Sequence, residues 1–152
     1  MFRQRPAEEF FSEASKRNIG ILARVPLASG LLTGKFSAST EFGKDDHRTF
    51  NRQGEAFDKG ETFSGVDYTK GLKVVEEIKK LFPEHSNLAA LALKWVLMFP
   101  EVSCVIPGAS RPEQVLSNIQ ASKIHNLTEE QMNGIKQIYI QQIWPDIAKE
   151  KW

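Results

Sequence analysis

Helical periods alternate with two apolar, strand-like runs along this chain, and that alternation predicts the α/β class. Residues 19–25 and 102–106 are apolar on both faces, as strands of parallel sheets are. Each run ends in a loop of small residues, and segments with apolar side chains at helical spacing surround them. The predicted order is helix, strand, long loop, two helices, strand, two helices.

The first helix starts at Pro6, suited to an N1 position, with Glu8 and Glu9 near the positive end of the dipole. Ala7, Phe10, Phe11 and Ala14 give its apolar face, and Asn18 closes it. The strand Ile19-Gly20-Ile21-Leu22-Ala23-Arg24-Val25 follows. From Pro26 to about Val66 no helical or strand period is sustained, which is unusual for a compact domain and often functional. Phe36, Phe42, Phe50, Phe57 and Phe63 imply that this loop packs onto the body, with room for a short helical turn. Asp67 caps a helix that runs to Phe82, where Pro83 stops it. Ser86 caps the next, with Leu88, Leu91, Ala92, Trp95 and Leu97 facing inward and Pro100 ending it. After the 102–106 strand, a helix runs from about Arg111 to Gln120, with Ser110 and Glu113 in a capping-box pattern. Thr128 and Gln131 form a second box before a helix carrying Met132, Ile135, Ile138 and Tyr139, which Pro145 breaks, leaving a tail to Trp152.

Two strands cannot make a covered parallel sheet for this many helices. Either the long loop hides strands, or the chain is a piece of a larger fold. The loop lacks the β-branched runs a strand needs, which favours the second reading.

Composition narrows the function. The 152 residues fit one domain with a sizeable core, 41% apolar and 26% charged. A formal charge of +1 gives no reason to expect nucleic acid or an acidic membrane surface. No run is long enough to span a bilayer and the N-terminus lacks a signal-peptide core, so cytoplasm is the expected location. The single cysteine, Cys104, excludes an internal disulfide and reads as a buried small hydrophobe in its strand.

The chemistry concentrates after the two strands. Val105-Ile106-Pro107-Gly108-Ala109-Ser110-Arg111 leads a strand into a helix N-terminus, where unsatisfied N–H groups and the dipole favour an anion. Arg111 adds a fork of donors suited to a phosphate monoester, or else to a surface salt bridge. Gln114 and Asn118, four apart on one helix face, can read a base edge, or simply face solvent. After the first strand, Pro26-Leu27-Ala28-Ser29-Gly30-Leu31-Leu32-Thr33-Gly34-Lys35 offers close backbone approach and a mobile cation. It is not a P-loop: the spacing is one residue short, and Phe36 replaces the Mg²⁺-binding hydroxyl. His47, His85 and His125 have no metal-ligand spacing. His47 after Asp45 and Asp46 reads as an exposed acidic turn, and Tyr68 and Tyr139 as packing residues. No acid/base constellation is found.

The ordered pair of segments, Pro26 to Phe36 and Val105 to Gln114 with Asn118, resembles the aldo-keto reductase family. Leu91-Ala92-Leu93-Lys94-Trp95 between them is similar to the family's Ala-Leu-x-Trp sequence. The resemblance implies a TIM (β/α)8 barrel, of which residues 1–152 look like a single C-terminal half-barrel segment. Strands 7 and 8, helices 6 to 8 and a C-terminal helix would be present. It further implies NADP(H) as cofactor. Pro26 and Leu27 would belong to the loop that covers the pyrophosphate, with Gly30, Leu31 and Lys35 nearest it. Ser110 and Arg111 would hold the 2′-phosphate with Gln114 assisting, Asn118 would read the adenine, and Gly108 would be a further cofactor-binding position. The family's Asp, Tyr, Lys and His tetrad has no counterpart here, so no catalytic residue is assigned. The expected role is the cofactor-holding half of a reductase for small carbonyl substrates, inactive alone. A non-catalytic half-barrel module that self-associates or binds a partner is the alternative; the expected macromolecular partners are a second copy or a missing N-terminal half.

Overall fold

The structure, a computed structural model, describes residues 1–147. Its organising unit is a parallel pair of strands, β1 (Ile21–Arg24) and β2 (Val102–Ile106), in register from Leu22 opposite Cys104 to Arg24 opposite Ile106. The register slips between Ile21 and Leu22, and the Ile21 N–H donates to the Ser103 side-chain oxygen at 3.2 Å. No further strand occurs among the described residues.

Helices cover one face of this pair. Between the strands run α4 (Tyr68–Lys80) and α5 (Leu88–Leu97). The α5 sequence is apolar nearly all round, which marks a buried helix, and Leu88, Leu91, Ala92, Leu93 and Trp95 are at most 5% exposed. Val74, Val75 and Ile78 of α4 join the same core with Ile135, Tyr139 and Ile143 from the C-terminal helices. Each such side chain contributes about 1.5–3 kcal/mol through burial.

Several expectations are met and several are corrected. Asp67 caps α4 by accepting from the Lys70 N–H, and Thr128 and Gln131 form a complete capping box on α7 (Glu129–Ile138). The cap of α5 is Asn87 instead of Ser86, its carboxamide oxygen accepting from the Ala90 N–H at 3.1 Å. The first helix is two short ones, α1 (Arg5–Glu9) and α2 (Phe11–Lys16), parted at Phe10. Pro145 does not end the C-terminal helix. The helix runs on through a π-helical turn over Tyr139–Ile143 into α8 (Trp144–Ile147), and that local irregularity accommodates the proline. The expected tail lies outside the described residues.

The strands are not covered on both faces as their composition predicts. Leu22 is 65% and Ile106 50% exposed, and Cys104 is exposed, not buried. Ile21 is buried and Ala23, Val102 and Val105 pack against the helical core, leaving the opposite face open. β1 is also shorter than predicted: Val25 takes a left-handed conformation (φ 49°), which turns the chain out of the sheet.

The long segment 26–66 contains no strand, in keeping with the sequence. It is built from a 3₁₀ stretch over Ala28–Thr33, a short α3 (His47–Phe50) and 3₁₀ turns at Lys59–Glu61 and Phe63–Gly65. Phe63 is fully buried, and Phe36 and Phe42 pack on the core. Phe50 and Phe57 do not: both are 43% exposed, edge to face with each other. Asn51 knots the segment from inside.

Candidate functional site

Because β1 and β2 are parallel and adjacent, the loops after them leave the same end of the sheet, from Arg24 and Ile106, which are paired in register. Residues at this end are where α/β folds place ligands. Leu27 fixes the first loop to the second. It packs in a small cluster with Ala90 and Leu93 of α5, Val105 of β2, and Ala121 and Ile124 beyond the second loop's helix. That helix, α6 (Pro112–Ile119), is tied to the start of α5 by a hydrogen bond from the Asn87 amide to the Ser117 hydroxyl at 3.1 Å.

In the first loop, Pro26 and Leu27 are half-buried and Lys35 is exposed with no ion pair among the described residues. Gly30 has φ +98°, and a Cβ there would stand 2.7 Å from the Phe36 ring, so glycine is required on both counts. The Leu31 side chain is buried in the core at 1% exposure, leaving only its backbone to meet a ligand. Ser29, also left-handed (φ 54°), is a junction. Its hydroxyl donates to the Glu61 carbonyl (3.2 Å) and accepts from the Phe63 N–H (3.1 Å), pinning the long segment to this loop.

In the second loop, Gly108, Ser110 and Arg111 are exposed, and Gln114 and Asn118 are half-buried on one face of α6. The expected capping box of Ser110 with Glu113 is absent. The N-cap is Arg111, one residue later, and it makes no side-chain cap bond. Instead the Gln114 oxygen accepts from the Ser110 N–H (2.6 Å) and hydroxyl (3.1 Å). Gln114 thereby orders the loop and keeps its NH2 free to donate. The α6 N-terminus keeps unsatisfied N–H groups, and the Arg111 guanidinium has no partner among the described residues. These groups fit an anionic cofactor: two unpaired cations, an open helix N-terminus and two carboxamides on the helix that begins there.

No group of three or more His, Cys, Asp or Glu side chains that could hold a metal ion occurs among the described residues. Ser29, His47 and Asp46 superficially line up, with His47 Nε2 at 3.4 Å from the Ser29 hydroxyl and Nδ1 at 3.6 Å from Asp46. The Ser29 proton, however, goes to the Glu61 carbonyl. Asp46 is committed to Arg48 at 2.5 and 2.9 Å, and those hydrogen bonds hold its carboxyl down at about 2. The Arg48 guanidinium in turn donates to the Ser29 carbonyl (3.3 Å) and lies 4.4 Å from the Phe42 ring centre. This is a structural knot.

Sequence reasoning missed Arg24. At the last position of β1, on the open face, its guanidinium grips the Glu61 carboxylate with two bonds of 2.9 Å. That pairing raises the Arg24 pKa and lowers the Glu61 carboxyl. A charged residue inside an otherwise apolar strand run was the available signal.

Comparison with known proteins places these features in context. The model of the "Aldo/keto reductase family" matches residues 1–140. The "Uncharacterized oxidoreductase YqkF" of Bacillus subtilis (strain 168) is 31% identical over 137 residues, 90% of this chain and 39% of that protein. A "Putative voltage-gated potassium channel subunit beta" of Schizosaccharomyces pombe is 34% identical over 74% of this chain and 32% of its own length. The solved glycerol dehydrogenase AKR11B4 from Gluconobacter oxydans superposes with a TM-score of 0.75 at 28% identity, covering 99% of this chain and 43% of that one. The chain thus spans about two fifths or less of the proteins it matches.

Proposed function

The chain belongs to the aldo/keto reductase family, and on that premise we propose that it is the cofactor-holding part of an NADP(H)-dependent carbonyl reductase. The observation that carries this reading is the pair of adjacent loops at one end of a parallel strand pair, with Arg111 and Lys35 unpaired among the described residues. Strands β1 and β2 are read as the seventh and eighth of a TIM barrel, with the open face turned to its interior.

When bound, NADPH supplies a hydride to a carbonyl carbon. The residues of this chain bind and orient it. Arg111 holds the 2′-phosphate, with the α6 N-terminus and the Gln114 NH2 adding N–H donors; the Ser110 hydroxyl joins them by turning from the Gln114 oxygen, to which it donates in the free chain, and Asn118 meets the adenine edge. The backbone at Gly30 and Leu31, with Lys35, lies along the pyrophosphate. Gly108 lies in the second loop at an open position, where nothing stands within 4 Å of a Cβ. A tyrosine from the remainder of the reductase would protonate the carbonyl oxygen of a small aldehyde or ketone. The chain alone is therefore expected to bind without turning over. Its expected location is the cytoplasm, where NADPH is drawn on.

NADPH fluorescence titration tests the reading. Arg111→Ala removes a charge-assisted contact worth about 1.5–3 kcal/mol, so affinity should fall roughly ten- to hundred-fold. The loss should be much smaller for NADH, which lacks the 2′-phosphate. Equal affinity of wild type and variant for NADPH would remove Arg111 from the site.

A further inference from the structure

Three carbonyl oxygens of the first loop are each taken by a side-chain donor. The Thr33 hydroxyl donates to Gly30 at 2.7 Å, Lys79 Nζ to Gly34 at 3.0 Å and Arg48 Nη1 to Ser29 at 3.3 Å. A threonine donating to the carbonyl three residues back is common in helices and alone says little. The other two donors, however, reach in from α4 and α3, across 45 and 19 positions. Each also holds a carboxylate, Lys79 that of Glu76 at 2.6 Å and Arg48 that of Asp46 at 2.5 Å. Lys35, in contrast, is exposed with no ion pair among the described residues. Two cations are thus engaged on the loop's own carbonyls, and a third stands open beside them.

A carbonyl oxygen is the negative end of the peptide dipole, and one aimed at an anion repels it. Covering Ser29, Gly30 and Gly34 weakens that repulsion. The same bonds tie down a stretch in which Ala28 and Ser29, both with positive φ, carry strain. Thr33 is the centre of this arrangement, because its oxygen also accepts from the Lys35 N–H at 3.3 Å. One hydroxyl therefore covers the Gly30 carbonyl and sets where the open lysine leaves the loop. We infer that Thr33 is a positioning residue for a diphosphate: with Lys79 and Arg48 it covers the loop's acceptors and directs Lys35 to the bound anion. The inference deepens the cofactor reading above and rests on it.

Thr33→Val keeps the shape of the side chain and removes the hydroxyl, which Thr33→Ser retains. Fluorescence titration with NADPH and NADH follows two ligands that share the diphosphate, and displacement of NADPH by 2′-AMP follows one that lacks it. Thr33→Val should weaken both dinucleotides roughly ten-fold, as for one lost bond to a charged group, and leave 2′-AMP unchanged. Thr33→Ser, with its donor intact, should stay within about two-fold of wild type. Lys35→Met should cost roughly ten-fold in the wild-type chain but under about three-fold beside Thr33→Val, a coupling that general loosening of the fold does not produce. Should Thr33→Val lose the circular dichroism of the wild type, Lys79→Met makes the same comparison, with about a three-fold loss on both dinucleotides because its partly exposed ammonium is replaced in part by water. Unchanged dinucleotide affinity in the folded variant, or an equal loss for 2′-AMP, overturns the inference and leaves NADPH binding by the wild-type chain in place. A wild-type chain that binds neither dinucleotide overturns the cofactor reading, and this inference with it.

Discussion

Replacing Asn51 by alanine should loosen the whole 51–62 segment. Asn51 is completely buried, and its carboxamide is the centre of the long loop. The oxygen accepts from the N–H groups of Ala56 and Phe57, both at 2.8 Å, and the NH2 donates to the Thr62 hydroxyl at 3.2 Å and reaches the Asp58 carbonyl at 3.5 Å. Three firm hydrogen bonds at about 1 kcal/mol net each put the loss near 3 kcal/mol. Ala56 and Phe57 are themselves exposed, so their freed N–H groups regain water and the loss falls toward about 2 kcal/mol. That is a large share of the roughly 5–15 kcal/mol that holds a domain together. Urea unfolding reads the global part, and amide exchange at Ala56 and Phe57 the local part. Exchange there should accelerate at least thirty-fold, the factor equivalent to 2 kcal/mol. A midpoint shift equivalent to under about 0.5 kcal/mol, with exchange at both amides unchanged, would refute the role given to Asn51.

Gly30→Ala should cost about 1–3 kcal/mol, from a left-handed backbone and a contact with the Phe36 ring, and thermal melting will show it. The Arg24–Glu61 pair is largely exposed on its arginine side, so a double-mutant cycle should return under about 1 kcal/mol, shrinking further in 0.5 M salt. The Asp46 carboxyl, depressed to about 2 by Arg48, contributes stability that is complete above the ordinary value of 3.8 and lost as pH falls through about 2. Amide exchange in residues 46–50 should therefore rise across that window, and Asp46→Asn should flatten the response. Leu91→Ala, in the fully buried centre of α5, should lower stability by about 2–5 kcal/mol in urea titration.

The helices were largely legible because their ends are written locally. Asp67, Thr128 with Gln131, and Pro112 act within one turn, and the structure uses all of them. Where two caps competed, as at Ser86 and Asn87, neighbouring candidates differ by too little for sequence to decide. The openness of the strands was not legible. Leu22, Cys104 and Ile106 have the composition of covered residues, and which faces are covered depends on chain brought from elsewhere. The two loops were visible through glycines and a helix start, but the groups that order them were not. Arg24 finds Glu61 across 37 positions and Ser29 finds Phe63 across 34, and no spacing rule links residues that far apart. The Gln114 contact to Ser110 is local, yet the capping-box pattern hid it by suggesting Glu113 instead.

Val25 carries a consequence for engineering. A β-branched residue at φ 49° is strained, and its side chain is 40% exposed, so it gains little from burial in return. Glycine or asparagine at this one position should relax the backbone, and the protein would melt later because the strain relieved outweighs the partial burial given up. The valine thus marks a place where thermal tolerance has been left unclaimed.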